Sequence, residues 1–506
     1  MKTTHAYLYA MPKRLYLLLV LIICYSHSSG KNKYIYDYNE NCYKAYQYYL
    51  SLHIEEARAC IINEVKANPY NLIATYIADY EDCILLLLNC DKSEYLRRVE
   101  HLDERIALLG KGDESSPWFR FCKGGVYLHW AIINMRFGEQ YSAALKFHKS
   151  FSLLKQNRLL FPHFEYNNTF AGLEEAVVGS LPGSYKWLAS IFGMKGNVKK
   201  GTDLLATFVT NHSAHEPMYT ETVLYYLYAR FYLLTEQKEV WNFINSPQFA
   251  THDNLLNTFV KANLALDYRK SDAAIETLQA AAAEANYNNY PIFNYQMGVA
   301  YLTKPDTICV AYFQQYLKKN KSDIYIKDCW QKMAFAYYLA GNMQQAQYCR
   351  EQIKKYGSTR LDADKQAEKF AENNTWPQKK LLQARLSIDG GYNAHALTIL
   401  NGIDTVSLTN PADKAEYFFR FGRVYEESDN NTNALEYYQY TINAGRKRHE
   451  QFAARAALQM GKIYERSGMK SQAISRYNEC LDMPSHDFQN SIDQQAKAGI
   501  NRLENN

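Results

Sequence analysis

Proline and glycine are scarce in this sequence, and no linker rich in them divides it. Only 12 prolines and 23 glycines are spread over 506 residues. A chain of this length usually folds as several domains, whose boundaries fall in flexible linkers of that composition. Their absence argues against a string of separate globular domains and favours one continuous array of packed elements.

Catalytic and metal-binding motifs are also missing. The sequence has no His-Glu-x-x-His, no Gly-x-Ser-x-Gly, no P-loop and no dinucleotide-binding glycine pattern. It has no Cys-x-x-Cys pair and no histidine-rich neighbourhood around its cysteines, which argues against a zinc site and a dense disulfide framework. We therefore expect a protein that is not an enzyme and that binds neither a metal nor a cofactor. One or two disulfides, such as Cys42 with Cys60, stay open in an oxidising compartment.

An excess of charge of either sign is missing too. Lys2, Lys13 and Arg14 precede residue 31, which leaves 54 basic against 52 acidic residues in the remainder of the chain. A nearly neutral chain lacks the basic footprint that nucleic acids require, so no nucleic-acid partner is expected. Tyrosine, in contrast, is abundant at 44 residues, and its apolar face with a polar tip suits both helix interfaces and concave binding surfaces.

The longest apolar run lies at the N-terminus. The basic pair Lys13 and Arg14 precedes the apolar stretch Leu15–Cys24, and small residues follow. This order predicts a signal peptide over residues 1–30, ended either by simple cleavage or by a lipid anchor on Cys24. No later apolar segment is long enough to cross a bilayer. We expect export to the periplasm or cell envelope without a transmembrane span, with any membrane association made through a partner.

Small residues recur twelve positions apart at seven places, usually with a bulky apolar residue four positions later. The seven sets are Ala45/Ala57/Ile61, Ala131/Ala143/Phe147, Ala189/Gly201/Leu205, Ala262/Ala274/Leu278, Ala384/Ala396/Leu400, Gly422/Ala434/Tyr438 and Gly461/Ala473/Tyr477. This spacing is typical of the tetratricopeptide repeat, in which two antiparallel helices cross closely at small side chains. The predicted fold is all-α, an α-solenoid of stacked antiparallel helix pairs that forms a tetratricopeptide-like superhelix.

The chain after the signal peptide has three parts, which differ in how closely they follow the repeat pattern. Residues 31–216 form an N-terminal helical-repeat region, and residues 217–360 form divergent central repeats. Residues 361–506 form tetratricopeptide repeats that end in a closing helix near residues 491–503. The closing helix is expected to cover the open apolar face of the last repeat.

Three local predictions concern the N-terminal region. Residues 70–109 should form one or two long helices, because their apolar face is dense. Ser115 or Ser116 should cap a helix that begins near Pro117. The glycines and prolines between residues 161 and 185 should break any long helix there.

A more specific resemblance lies between residues 103 and 207. Its motifs are Trp118-Phe119, Ala143–Phe147, Phe170-Ala171-Gly172, Gly179–Gly183, Trp187–Gly193 and Gly201–Leu205. In their order they resemble the fungal mitochondrial outer-membrane protein linked to inclusion-body clearance and its animal tetratricopeptide-repeat relatives. The resemblance implies an all-helical adaptor, and it transfers no catalytic residue.

Stacked helix pairs form a concave groove, where solenoids commonly hold a peptide or partner protein. The candidate partner-binding residues in this groove are Tyr48, Tyr337, Tyr417, Arg420, Arg423 and Tyr425. Arg420 and Arg423 are one helical turn apart, so both could hold a partner carboxylate. Tyr337 and Tyr425 fit the repeat equally well as packing residues.

Two functions remain open from the sequence. The first is an exported, non-enzymatic scaffold or adaptor that binds envelope proteins or peptides through its concave face. The alternative is a helical-repeat protein that binds a small ligand or glycan on exposed tyrosine and tryptophan rings. The alternative predicts coplanar aromatic side chains in one pocket, whereas a scaffold predicts a continuous polar and aromatic groove.

Overall fold

A computed structural model of the protein describes residues 33–181, 189–190, 192–304, 307–373 and 375–504. The predicted signal peptide, with Cys24, lies outside these residues. So do Pro182 and Gly183 of the predicted helix break, and Trp187 of the resemblance.

Most of the described residues are helical. The first half contains α1 (Glu40–Tyr49), α2 (Ile54–Ala67), α3 (Leu72–Asn89), α4 (Lys92–Arg98), α5 (His101–Leu109), α6 (Pro117–Arg136), α7 (Gln140–Leu160), α8 (Asn167–Ser180), α9 (Val198–Asn211), α10 (Tyr219–Tyr228), α11 (Gln237–Ile244) and α12 (Leu255–Asp267). The second half contains α13 (Ser271–Ala281), α14 (Ile292–Leu302), α15 (Cys309–Lys319), α16 (Ile326–Leu339), α17 (Met343–Ile353), α18 (Asp362–Glu372), α19 (Lys379–Gly390), α20 (Asn393–Asn401), α21 (Pro411–Glu427), α22 (Asn431–Gly445), α23 (Phe452–Arg466), α24 (Lys470–Leu481) and α25 (Gln489–Glu504). Within the described ranges, no helix is both long and apolar enough to cross a membrane.

Consecutive helices pack in antiparallel pairs, and small residues lie where they cross. Both small residues of all seven sets are buried. At Gly422, an added Cβ would meet the ring of Tyr438 at 2.5 Å, and at Gly461 it would meet the ring of Tyr477 at 2.4 Å. The bulky residue four positions after the second small residue therefore fills the space that the glycine leaves. The predicted α-solenoid of tetratricopeptide-like helix pairs is confirmed.

The turn inside each pair repeats the same backbone geometry. In six of the seven sets, the residue seven positions after the first small residue has a positive φ, for example Gly391 at 87° and Gly468 at 72°. The next amide, such as that of Tyr392, donates to a carbonyl five residues earlier. This bond satisfies a carbonyl that the end of the first helix would otherwise leave without a partner. The repeat thus fixes both the crossing and the turn that precedes it.

The first helices of successive pairs also pack against one another, which makes them one layer. In the C-terminal part, α19 contacts α21, α21 contacts α23, and α23 contacts α25. The second helices α20, α22 and α24 lie on the other side of this layer and pack mainly against their neighbours in sequence. The first helices therefore line the inner, concave face. Helix α25 closes the array, as predicted.

The superhelix also makes contacts between distant parts of the chain. The hydroxyl of Tyr290 donates to the carbonyl of Leu52 at 3.3 Å. The side chain of Gln494 in α25 donates to the carbonyl of Ser180 at 2.9 Å. One apolar core includes residues from Cys42 to Ala300, so it crosses residue 216. The division at residues 216 and 360 stays a prediction.

Two local predictions were wrong. Residues 70–109 form three helices, because Cys90 adopts a left-handed conformation after α3 and Asp91 caps α4. The stretch after residue 161 contains the regular helix α8, which runs through Gly172. Gly172 does not break α8; it allows α9 to approach closely, since an added Cβ would lie 2.9 Å from the carbonyl oxygen of Gly201.

The structure also tests the predicted helix cap and the possible disulfide. Ser116 accepts a hydrogen bond from the amide of Trp118 and caps the helix that begins at Pro117, as predicted. All nine cysteines in the described ranges are free thiols, so the Cys42–Cys60 disulfide is not formed.

Replacing Gly201 with alanine should destabilise the protein by about 1–3 kcal/mol. Helix propensity alone predicts the opposite sign, because alanine stabilises a helix interior by about 1 kcal/mol relative to glycine. The steric effect is larger here, since the new Cβ would lie 2.5 Å from the backbone oxygen of Gly172 and the amide nitrogen of Ala176. Thermal unfolding measures the change, with Thr207→Ala on the exposed face of α9 as the control. A stabilised Gly201→Ala variant would show that α8 and α9 cross less closely.

A buried cluster of charged residues fixes α10 to the N-terminal core. Glu221 of α10 is 4% exposed and accepts a hydrogen bond from the Tyr80 hydroxyl at 2.5 Å. His129 of α6 contacts Glu221 through Nε2 at 3.3 Å and Asp79 through Nδ1 at 2.8 Å. Arg105 donates to the other oxygen of Asp79 at 2.8 Å. Helices α3, α5 and α6 therefore meet the distant helix α10 at one set of ion pairs.

The two carboxylates set the protonation of His129. Burial by itself lowers the pKa of His129, but the hydrogen bonds to Asp79 and Glu221 outweigh it and raise the pKa to about 9. The imidazole is therefore charged at neutral pH and donates from both nitrogens. An ionised His129 bridges two carboxylates that would otherwise repel each other inside the core.

Candidate partner-binding surface

Three arginines lie on the inner face of the C-terminal repeats. Arg385 of α19, Arg420 of α21 and Arg455 of α23 are each 35 residues apart, on successive first helices. Each end arginine interacts electrostatically with Arg420, and both interact with Asp389. We call Arg385, Arg420 and Arg455 the arginine row.

Aromatic rings hold every guanidinium of the arginine row. Arg385 lies 5.4 Å from the centre of the Phe335 ring, and Arg455 lies 5.3 Å from that of Phe488. Arg420 has two such rings, with the centres of Phe419 and Phe452 at 5.6 Å and 5.8 Å. Such contacts support the carbon chain and the charged plane of arginine while leaving its N–H groups free to bind.

The two end arginines have no carboxylate partner. Arg420 forms an ion pair with Glu416 at 2.7 Å. Within the described part of the chain, neither Arg385 nor Arg455 has a carboxylate within 4.0 Å. The Nε of Arg455 is buried and has no hydrogen-bond partner. The row therefore contains positive charge that the protein does not neutralise.

Burial and the neighbouring cations lower the pKa of several basic groups here. Burial and then Arg420 lower the pKa of Arg385. Burial, followed by Arg420 and Arg423, lowers the pKa of Arg455 to about 10. Lys462 lies two helical turns after Arg455 on α23. Its pKa is lowered to about 8, chiefly by burial. These shifts have the direction expected for cations that are desolvated without enough negative charge nearby.

The structure gives both predicted clamp arginines intramolecular partners. Arg423 is 8% exposed and pairs with Glu426 at 2.9 Å and with Glu427 at 2.8 Å. Arg420 is held by Glu416, as described above. A clamp made by Arg420 and Arg423 stays a prediction, and a partner would compete there with these glutamates.

The predicted tyrosines are spread over three regions. Tyr417 packs on Phe421 with ring centres 5.0 Å apart, and Tyr425 packs on Tyr437 at 5.4 Å. Both also pack against the apolar core that includes Leu381 of α19 and Leu400 of α20, so they contribute to the interface between neighbouring repeats. Tyr337 lies partly buried on α16, and Tyr48, 37% exposed, lies on α1. The structure thus brings together the candidates on α21 and leaves Tyr48 and Tyr337 elsewhere, and a binding role for any of them stays a prediction.

Sequence reasoning missed Arg385 and Arg455, although a signal for them exists. The repeats they occupy are offset by 38 and 39 residues at their small positions, Ala384, Gly422 and Gly461. The arginines recur every 35 residues. Counted from the small residue of its own repeat, each arginine therefore lies three or four residues, about one helical turn, nearer the start of its helix than the arginine before it. Residues that stay on one helical face and shift by one turn in each repeat form a diagonal row across the parallel first helices.

A shallow depression of about 450 Å³ lies elsewhere, at the start of α9. Its lining residues are Asn197, Lys199, Lys200, Asp203, Leu204 and Thr207, and none of them is aromatic. It therefore lacks the stacked rings that the glycan-binding alternative predicts. In the ranges that the structure covers, no group of histidine, cysteine, aspartate and glutamate side chains is arranged to hold a metal ion.

Comparison with known proteins finds similarities among solved structures. No family model matches the chain, and no curated protein matches it. Among solved structures, it is similar to the APC/C hetero-tetramer Cut9-Hcn1, with 11% identity and a TM-score of 0.23, over 90% of this chain and 95% of that chain. It is also similar to Naa15/Naa10 bound to HypK-THB, with 12% identity and a TM-score of 0.21, over 91% of this chain and 78% of that chain. Neither similarity is close enough to support a conclusion about function.

Proposed function

We propose that this protein is an exported, non-enzymatic scaffold that holds proteins or peptides of the cell envelope on its concave face. The observation that carries the proposal is the arginine row on the inner layer of α19, α21 and α23. Its end members are supported by aromatic rings and lack carboxylate partners. A surface with unpaired, partly desolvated charge is suited to binding rather than to stability.

Two features of the sequence support the proposed location and the proposed class of protein. The order of basic, apolar and small residues before residue 31 supports export to the envelope. The resemblance of residues 103–207 to the inclusion-body-clearance group supports an adaptor without catalytic residues. Tetratricopeptide-like helix pairs support a polypeptide partner, because their inner face is a long groove that suits an extended or helical segment.

A photo-crosslinking amino acid at Asp389 should form adducts with a protein partner in envelope extracts. Asp389 is exposed and neighbours the arginine row on α19. The matched control places the same amino acid at Glu436, which is exposed on the second helix α22. Mass spectrometry of the adducts identifies the partner. Adducts at Glu436 and none at Asp389 would contradict binding on the concave face, and no adduct at either position would contradict a scaffold of envelope proteins.

A further inference from the structure

We propose that the arginine row binds an extended acidic segment of a partner polypeptide, with one carboxylate opposite each of Arg385, Arg420 and Arg455. This inference rests on the proposed scaffold function and names the chemistry of the bound segment. It differs from a clamp by Arg420 and Arg423, because the two residues that bind most strongly are the end arginines.

Negative charge is missing around the two end arginines. A desolvated guanidinium without a carboxylate or a full set of acceptors is unfavourable in the free protein. Arg385 and Arg455 are in this position, and the buried Nε of Arg455 has no acceptor. A ligand carboxylate would supply both the acceptors and the charge, and it pairs with the planar guanidinium through two parallel hydrogen bonds.

The distance between neighbouring arginines sets the spacing of the ligand's carboxylates. Packed helices lie about 8–10 Å apart and the shift of one turn adds about 5 Å along the axis, so neighbouring arginines on successive first helices are about 10–11 Å apart. A segment in the extended polyproline II conformation advances about 3.1 Å per residue and places every third side chain on the same side. Three residues therefore span about one step of the row. The segment that fits carries an acidic side chain at about every third position, with small or polar residues between them.

Acidic groups of the protein also face the arginine row. Glu416 pairs with Arg420, and Asp389 lies within electrostatic range of Arg385 and Arg455. Asp413 lies near Glu416, and burial followed by Glu416 raises its pKa. These carboxylates lie among the arginines, so they would repel a ligand with negative charge at every position. Spaced carboxylates fit better than a nucleic-acid backbone or a contiguous acidic run.

The test measures binding of labelled synthetic peptides of about ten residues by fluorescence anisotropy. One peptide has glutamate at every third position, a second has glutamine at those positions, and a third has the same number of glutamates in one contiguous run. We expect the spaced peptide to bind at least about tenfold more tightly than either of the others. A single-stranded oligonucleotide of similar charge is the fourth probe.

The variant is the double substitution Arg385→Gln with Arg455→Gln. The matched control is Arg446→Gln with Lys447→Gln, which removes the same charge from an exposed loop after α22. We expect the row variant to lose about tenfold or more of its affinity for the spaced peptide and the control to keep it. In the absence of peptide, the row variant should unfold at the same temperature as the native protein or a higher one, since unpaired buried charge has been removed.

Each other outcome overturns the inference. Equal binding of the glutamine peptide, or tighter binding of the contiguous peptide or the oligonucleotide, excludes spaced carboxylates as the ligand. A row variant that binds like the control excludes the end arginines, and one that unfolds at a clearly lower temperature assigns them a structural role. Adducts at Asp389 are independent of these results, so the concave-face scaffold can stand if the acidic ligand fails.

Discussion

Replacing Asp79 with alanine should lower the free energy of unfolding by about 3–5 kcal/mol. Asp79 is fully buried, and its two oxygens accept hydrogen bonds from Arg105, His129 and the indole of Trp130 at 2.8–3.0 Å. The substitution removes the carboxylate and leaves the buried His129 and the largely buried Arg105, with Asp82 and Glu221 as the remaining negative partners. A buried ion pair with one partner removed is more costly than no ion pair at all.

Chemical denaturation followed by tryptophan fluorescence measures this change. The matched control is Glu40→Ala, which removes an exposed carboxylate that pairs with Lys44 at 2.7 Å within one helix. Exposed pairs contribute little because water screens them, so the control should unfold close to the native protein. If Asp79→Ala unfolds as the control does, the buried cluster does not fix α10 to the N-terminal core.

The helix pairs could be predicted because the crossing imposes a local rule. A small residue in one helix and another twelve positions later are required wherever the two axes approach, as at Ala384 and Ala396. The rule acts within one repeat, so a single sequence reveals it. The prediction fails at α8, where Gly172 does not break the helix but allows a close crossing with Gly201. Glycine has both uses, and the sequence alone does not separate them.

The contacts between distant repeats could not be predicted. Glu221 pairs with His129, which precedes it by 92 residues, and Tyr80 precedes it by 141. No local pattern marks a glutamate in α10 as the partner of residues on α3 and α6. The arginine row is an intermediate case, because a regular spacing of 35 residues is present in the sequence. Its meaning depends on the absence of partners for Arg385 and Arg455, which is visible only in three dimensions.

The stability of the protein should fall between about pH 6.5 and pH 9 through the titration of His129. The pKa of His129 is raised from its ordinary value of 6.5 to about 9 in the folded protein. Below pH 6.5 both the folded and the unfolded chain carry this proton, and the ion pairs with Asp79 and Glu221 contribute fully. As the pH rises, the unfolded chain loses the proton first, and the contribution is lost as the pH passes through about 9. The total is about 3 kcal/mol, since one pKa unit corresponds to about 1.4 kcal/mol.

The measurement compares the native protein with His129→Gln across this range, because other groups titrate in it. Burial raises the pKa of Glu174 to about 8, so its contribution to stability also falls as the pH rises. That loss occurs in both proteins and cancels in the difference. The stability difference between native and variant should shrink by about 3 kcal/mol from about pH 6 to above pH 9. A difference that stays constant would mean that folding does not raise the pKa of His129, and the charged bridge between Asp79 and Glu221 would then be absent at neutral pH.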